Sequence, residues 1–80
     1  MTETDIEPAV TVDARGAACP GPLMDLIGAI RSADTGAVVR LLSDNEQSLT
    51  DVPEWTDETD HDLLATEEHD DHYAFFVEKA

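Results

Sequence analysis

Apolar and polar residues alternate in four short segments of the chain, which is the spacing of β-strands with one buried face. In the clearest segment, Val39 and Leu41 fall on one face of the strand. In the last segment, Tyr73, Phe75 and Val77 share a face. The pattern predicts strands at about residues 9–13, 38–43, 63–67 and 73–79.

Two further segments carry apolar residues three or four positions apart, as on one face of a helix. The first helix is predicted over about residues 22–34, because Pro22 suits a first helical turn and Gly36 suits a stop. Its apolar stripe consists of Leu23, Leu26, Ile27 and Ile30. The second helix is predicted to begin within residues 48–51, with Pro53 in its first turn or at a kink. Its predicted core-facing residues are Leu49, Val52 and Trp55.

The predicted order of elements is β-α-β-α-β-β. Strands joined by helices are expected to run parallel, and the final hairpin adds an antiparallel pair. Each helix has a single apolar stripe, so both should cover the same face of the sheet. The sequence therefore predicts an α/β (α+β) two-layer sandwich, with a four-stranded mixed sheet and two helices on one face. Its open face would show Val38, Leu42 and Phe76 to solvent or to a partner.

Length and composition fit a single domain. The 80 residues leave little room for a second domain, and 41% of them are hydrophobic, which is enough for a globular core. We expect a disordered acidic tail over residues 1–8 and one domain over residues 9–80.

Acidic residues dominate the charge of the chain. Nineteen acids oppose four bases, giving a net charge of −15, and Lys79 is the one base within residues 44–80. A field of this sign disfavours direct binding to nucleic acids or to an anionic membrane surface. Two interpretations of the acidity remain open. It suits either a very salty cytosol, which we favour, or the docking of a basic partner.

Cysteine content and hydropathy point to the cytoplasm. The chain has one cysteine, so it forms no internal disulfide, and a lone thiol suits a reducing compartment. No apolar run approaches the roughly 18 residues of a membrane span. The histidines His61, His69 and His72 lack the spacing of a metal site, so we expect neither a metal nor a cofactor.

The segment with the clearest chemical character runs from Arg15 to Pro22. It places Cys19 directly before the first predicted helix, where unpaired N–H groups and the helix dipole favour an anion. The pKa of the Cys19 thiol is therefore expected to fall below its usual value of about 8.5. Pro20 and Pro22 stiffen the approach to the helix, and Arg15 adds a nearby positive charge. From its position alone, Cys19 could equally be a buried residue that packs as a small hydrophobe.

The same segment resembles a known family. Its residues Cys19-Pro20-Gly21-Pro22 match the C-P-x-P signature of the TusA/SirA-like sulfur-carrier family, and Gly16 resembles the glycine that precedes that signature. A second motif of the family, D-[IV]-P-x-[WF], is matched by Asp51, Pro53 and Trp55. The resemblance covers residues 9–79.

Membership would imply a two-layer α/β sandwich and a role in sulfur relay. The cysteine of the signature would carry a persulfide from a donor, such as a cysteine desulfurase or a rhodanese, to an acceptor protein. The acceptor would serve tRNA thiolation, molybdenum-cofactor synthesis or related sulfur trafficking. Two departures stand out: Thr56 replaces a second cysteine of many relatives, and Asp60 replaces a glycine at a position where a left-handed backbone is expected.

The sequence leaves three hypotheses for the function. The favoured one is a sulfur carrier of sulfurtransferase type that acts with partner enzymes, with Cys19 as the reactive residue. The alternative is a non-catalytic module that senses redox state or regulates a partner. In the third, Cys19 is purely structural.

Overall fold

The computed structural model describes residues 6–18 and 21–80. Six elements follow one another in the predicted order: β1 (Val10–Asp13), α1 (Gly21–Ser32), β2 (Val38–Ser43), α2 (Ser48–Glu58), β3 (Asp62–Glu68) and β4 (Tyr73–Glu78). The first helix begins at Gly21 and ends at Ser32, whereas the predicted range was 22–34. Gly36, predicted as the stop, lies in the turn after the helix with a φ of +88°. Residues 6–8 precede β1. Because residues 1–5 lie outside the described residues, the disordered tail stays a prediction.

The four strands form one mixed sheet in the order β1-β2-β4-β3. β1 and β2 are parallel, whereas β4 pairs antiparallel with both β2 and β3. The two central strands, β2 and β4, are each paired on both sides. They therefore supply the buried strand residues of the core. This arrangement confirms the predicted two-layer sandwich with a four-stranded mixed sheet and two helices.

The core lies between the sheet and the two helices. From the helices, Leu26, Ile30 and Val52 are fully buried. From the central strands come four more fully buried apolar side chains: Val39, Leu41, Phe75 and Val77. Burial of such side chains is the main term that offsets the entropy of folding in a domain of this size.

The helix α2 differs from its prediction in its buried face. Leu49 is exposed rather than core-facing, and the buried positions are Ser48, Val52 and Thr56, spaced four residues apart. Pro53 lies beyond the first turn, inside the helix. It leaves the carbonyl of Leu49 without its usual helical donor, because proline has no N–H.

The open face of the sheet is less open than predicted. Phe76 is only 3% exposed, while Val38 and Leu42 are half-buried. Phe76 lies in a groove that is also lined by Ile6 and Arg40, and these neighbours shield it from solvent.

The residue Asp60 does not adopt the left-handed conformation expected of it. Within residues 6–18 and 21–80, Gly16 and Gly36 alone have a positive φ. The helix α2 ends instead on Thr59 in an extended conformation, with φ −121° and ψ 177°, so no left-handed residue is needed there.

Candidate functional site

The loop between β1 and α1, residues 14–20, carries the reactive cysteine predicted from sequence. Its first residue is fixed in the core: Ala14 is 3% exposed, and its N–H donates to the carbonyl of Leu42 at 2.8 Å. The loop therefore leaves the sheet at the edge where β1 and β2 both end. Carboxyl ends of parallel strands are a common position for functional groups in α/β proteins.

The residue Gly16 makes the turn within this loop. Its φ of +87° falls in the left-handed region, where a side chain costs energy and glycine does not. Its N–H donates to Oδ2 of Asp44 at 2.9 Å. Sequence analysis singled out Gly16 as a motif position, and the backbone geometry supplies a reason for a glycine there.

The side chain of Arg15 is engaged by Asp13. The guanidinium makes two parallel contacts, Nε to Oδ1 and Nη2 to Oδ2, each 2.9 Å. The backbone N–H of Arg15 donates to the same carboxylate at 3.1 Å. These hydrogen bonds lower the pKa of Asp13 from 3.8 to about 2. The positive charge expected to assist Cys19 is thus paired with the carboxylate of Asp13, and a direct role for Arg15 stays a prediction.

Two of the predicted site residues, Cys19 and Pro20, lie outside the described residues. The chain on either side of them makes backbone hydrogen bonds. The N–H of Ala17 donates to the carbonyl of Ala14 at 3.1 Å, and that of Gly21 donates to the carbonyl of Ala18 at 2.7 Å. Pro22, the other proline of the signature, is buried in the first turn of α1. No acidic residue occupies that turn, so nothing there opposes an anion at the helix start.

The second predicted motif lies on α2. Asp51 accepts a hydrogen bond from Nε2 of Gln47 at 3.1 Å in the first turn of the helix. Trp55 is half-buried against the core, and its ring lies 5.3 Å from that of His61. His61 accepts the N–H of Ala80, just beyond β4, so it lies at the end of the sheet opposite the β1–α1 loop. Trp55, which contacts His61, lies at that same end. The motif is therefore spread along α2 rather than gathered around the β1–α1 loop.

Sequence analysis noted Thr56 as a departure from a second cysteine. Its side chain is buried, and its Oγ1 donates within its own helix to the carbonyls of Val52 and Pro53. The hydroxyl is thus satisfied locally in a position that faces the core.

The turn between β3 and β4 lies at the same edge as the β1–α1 loop, which sequence reasoning missed. The rings of His69 and His72 stack with centroids 4.6 Å apart. Nδ1 of His72 lies 2.6 Å from Oδ1 of Asp71, and this hydrogen bond lowers the pKa of Asp71. Within residues 6–18 and 21–80, no three His, Cys, Asp or Glu side chains are placed to hold a metal ion.

Sequence analysis did not predict Asp13 and Asp44 as site residues. Asp13 is the last residue of β1, and Asp44 directly follows β2. Because β1 and β2 are parallel, both acids lie at the same end of the sheet. The alignment of two parallel strand ends was the signal that could have identified both.

The fold defines the class of the protein as a small two-layer α+β domain with a four-stranded mixed sheet and two helices. The family model described as Sulfurtransferase TusA matches residues 10–79, and the chain belongs to this family.

Similar proteins agree with this assignment. A protein of Archaeoglobus fulgidus with the provisional name of sulfur carrier protein is 41% identical over 70 residues, which are 88% of this chain and 96% of that protein. The crystal structure of the SirA-like protein from Desulfitobacterium hafniense superposes with a TM-score of 0.77. It is 24% identical and covers 86% of this chain and 95% of its own, so it supports the fold. Searched over its described residues, the chain has no helix long and apolar enough to cross a membrane.

Proposed function

We propose that the protein is a sulfur carrier in which Cys19 accepts a persulfide sulfur from a donor protein and delivers it to an acceptor. Family membership over residues 10–79 and the similarity to the archaeal protein support a sulfur-carrier role. One observation supports the assignment of this role to a particular residue. The single cysteine of the chain stands two positions before Gly21, where α1 begins.

The chemistry is an exchange between sulfur atoms. The Cys19 thiolate attacks the terminal sulfur of a donor persulfide, a new S–S bond forms at Sγ, and the S–S bond of the donor breaks. The donor leaves as a thiolate, so atoms and electrons balance without an external oxidant or reductant. In delivery, an acceptor thiolate attacks the terminal sulfur, and the Cys19 thiolate is the leaving group.

This chemistry needs a thiolate at Cys19. The start of α1 favours an anion through the free N–H groups and the dipole of the helix. The first turn of α1 holds no acid, and the nearby acid Asp13 is already paired with Arg15. A thiolate populated in this way attacks without a general base. Pro20 and Pro22 would restrict the loop so that the sulfur stays accessible.

The partners are proteins that exchange sulfur. The donor would be a cysteine desulfurase or a rhodanese, and the acceptor would serve tRNA thiolation, molybdenum-cofactor synthesis or a related pathway. The charge of −15 disfavours direct contact with nucleic acid or an anionic membrane. We place the protein in the cytoplasm, where a lone thiol is kept reduced.

The test is sulfur loading followed by intact-protein mass. The protein is incubated with a cysteine desulfurase and cysteine, beside the variants Cys19→Ser and Ala18→Ser. Ala18 is exposed and adjacent, so Ala18→Ser adds a hydroxyl to the loop while it leaves the thiol in place. We expect the wild type and Ala18→Ser to gain the mass of one sulfur atom, and Cys19→Ser to gain none.

Three results would contradict the proposal. A gain of sulfur by the Cys19→Ser protein would show that an atom other than Sγ of Cys19 accepts it. A wild-type thiol that oxidises but never gains sulfur would favour the redox-sensing alternative. A thiol that resists alkylation in the folded protein would favour a structural cysteine.

A further inference from the structure

One side chain that is distant in sequence forms a hydrogen bond to the β1–α1 loop. Asp44 follows β2 and is 28 positions from Gly16 in sequence, yet its Oδ2 accepts the N–H of Gly16 at 2.9 Å. We infer that Asp44 is a positioning residue, which fixes the loop so that Cys19 meets the sulfur donor in a productive orientation. The inference rests on the proposed function, and it assigns Asp44 a task within it.

The other hydrogen bonds of the described loop residues are local or lie where the loop leaves the sheet. Ala14 is bonded to β2 where the loop leaves the sheet, and the N–H of Ala17 returns to Ala14. Arg15 pairs with Asp13, two residues earlier. Ala17 packs against the hydrophobic core, and among the described loop residues after Ala14 the bond to Asp44 is the hydrogen bond that reaches beyond β1, the loop and α1.

The backbone is held in place at both residues of this hydrogen bond. At one end, the φ of +87° at Gly16 sets the direction of its N–H, and a residue with a Cβ would adopt this conformation at a cost. At the other end, the neighbour Ser43 is fully buried, and its Oγ lies 2.8 Å from Oγ of Ser48. The same Oγ accepts the N–H of Asn45 at 3.2 Å, so the backbone on both sides of Asp44 is fixed.

The carboxylate of Asp44 has two properties that can be separated. One is its acceptor oxygen, which accepts the N–H of Gly16 in the hydrogen bond that we call the tether. The other is its negative charge, which is felt by Arg15 and helps raise the pKa of that guanidinium. An asparagine keeps an acceptor oxygen and loses the charge, so Asp44→Asn should preserve the tether whereas Asp44→Ala removes it.

The experiment compares three variants with the wild type: Asp44→Ala, Asp44→Asn and the control Glu46→Ala. Glu46 is an exposed acid in the same turn, and its side chain makes no hydrogen bond within the described parts of the chain. The rate of sulfur loading of Cys19 by a cysteine desulfurase supplied with cysteine is measured by intact mass, as kcat and KM. Two-dimensional NMR follows the amide resonance of Gly16, and circular dichroism checks folding.

We expect Asp44→Ala to load Cys19 fully but about tenfold more slowly in kcat, the size of effect typical of one hydrogen bond to a charged group. Its Gly16 amide should lose the downfield shift of a charge-assisted bond and exchange faster with solvent. Asp44→Asn should stay within about threefold of the wild type and keep a bonded Gly16 amide, and Glu46→Ala should match the wild type.

Two results would overturn the inference while leaving the proposed function intact. The first is a loading rate for Asp44→Ala equal to that of the wild type. The second is an Asp44→Asn protein that is as slow as Asp44→Ala although its Gly16 amide stays bonded, which would assign the effect to charge. If the wild type itself gains no sulfur, the proposed function fails, and the role of Asp44 in it fails too.

Discussion

At the scale of single residues, the acid that ends β1 shows how this protein handles its excess of negative charge. Asp13 is paired with Arg15 by two parallel contacts, a geometry that suits guanidinium and carboxylate. Both side chains are about half exposed, so the pair is screened by solvent and contributes little to stability. Its effect is local, on the charge beside the β1–α1 loop.

The pairing predicts an acid-shifted titration of Asp13. Its pKa is lowered from 3.8 to about 2, so the stabilisation is present above 3.8 and is lost as the pH falls through about 2. In the Arg15→Met variant, we expect the pKa of the Asp13 carboxyl to rise toward 3.8, because the guanidinium donors and their charge are gone while the backbone N–H of residue 15 remains. Carboxyl carbon NMR measures both midpoints. Arg31→Met, a control in the last turn of α1, should leave Asp13 unchanged; equal midpoints in all three proteins would refute the pairing.

Two glycines with opposite backbone requirements give a second prediction. A Cβ at Gly16 meets no atom within 4 Å, but φ is +87°, so Gly16→Ala should destabilise the protein by about 1–2 kcal/mol through strain alone. Gly28 also has open space, yet it lies inside α1 with an ordinary φ. Gly28→Ala should stabilise by about 0.5–1 kcal/mol. Urea unfolding decides, and a gain in stability for both variants would contradict the loop geometry.

At the scale of elements, the end of the chain stabilises the end of the first helix. Nζ of Lys79 donates to the carbonyl of Ala33 at 2.7 Å, directly after α1. The backbone of Lys79 also pairs with Gly36 and Ala37, so the segment after β4 is fixed to the segment between α1 and β2. A cation at this place interacts favourably with the negative end of the helix dipole.

The contact predicts that Lys79→Met destabilises the protein by about 1 kcal/mol, because it removes both a charge-assisted hydrogen bond and the dipole interaction while keeping an apolar stem. Lys79→Arg, which retains a cation, should lose less than half as much. Thermal and urea unfolding of the three proteins measure the difference. If Met and Arg behave alike, the ammonium is not the group that matters.

The helix α2 shows where hydrophobic spacing is an incomplete guide. The prediction followed the larger apolar residues, and it therefore chose Leu49, which proved exposed. The buried face instead uses Ser48 and Thr56, whose hydroxyls are satisfied by Ser43 and by the helix itself. Small polar residues with internal partners are invisible to a pattern that counts apolar side chains. The helix α1 and strand β2 were predicted better, because apolar residues make up most of their buried faces, with Ser43 as a buried polar residue of β2.

At the scale of the whole molecule, a net charge of −15 is confined to a body of 31 × 30 × 19 Å. Charges at these separations repel one another over distances that salt controls, because the Debye length falls from about 10 Å at 0.1 M to about 3 Å at 1 M. Self-repulsion should thus weaken the fold at low ionic strength.

The acidity predicts a strong dependence of stability on salt. We expect the unfolding temperature to rise steadily as potassium chloride is increased toward 1 M, as suits a very salty cytosol. The double variant Asp57→Asn, Glu58→Gln removes two exposed acids from the last turn of α2, where the helix dipole also disfavours them, and it should reduce this slope. Full stability at low salt, unchanged by added salt, would instead favour a surface that docks a basic partner.

The candidate site shows what a local pattern does not contain. The position of Cys19 before a helix, the glycine at 16 and Pro22 were all predicted from neighbouring residues. The tether from Asp44 was not, because its two partners are 28 positions apart and meet only when β1 and β2 pair in parallel. The strand order, with β4 between β2 and β3, likewise follows from tertiary packing that no single segment encodes.

The pairing register also fixes where the chain can be attached to something else. Val10 and Val77 are both level with Val39, on opposite sides of β2, so the start of β1 and the end of β4 are about 10 Å apart. Both lie at the sheet edge opposite the β1–α1 loop. A dye, a solid support or a fused domain joined after Ala80 is thus carried at the end of the sheet opposite the start of the β1–α1 loop, and an immobilised protein would keep that loop available to sulfur donors.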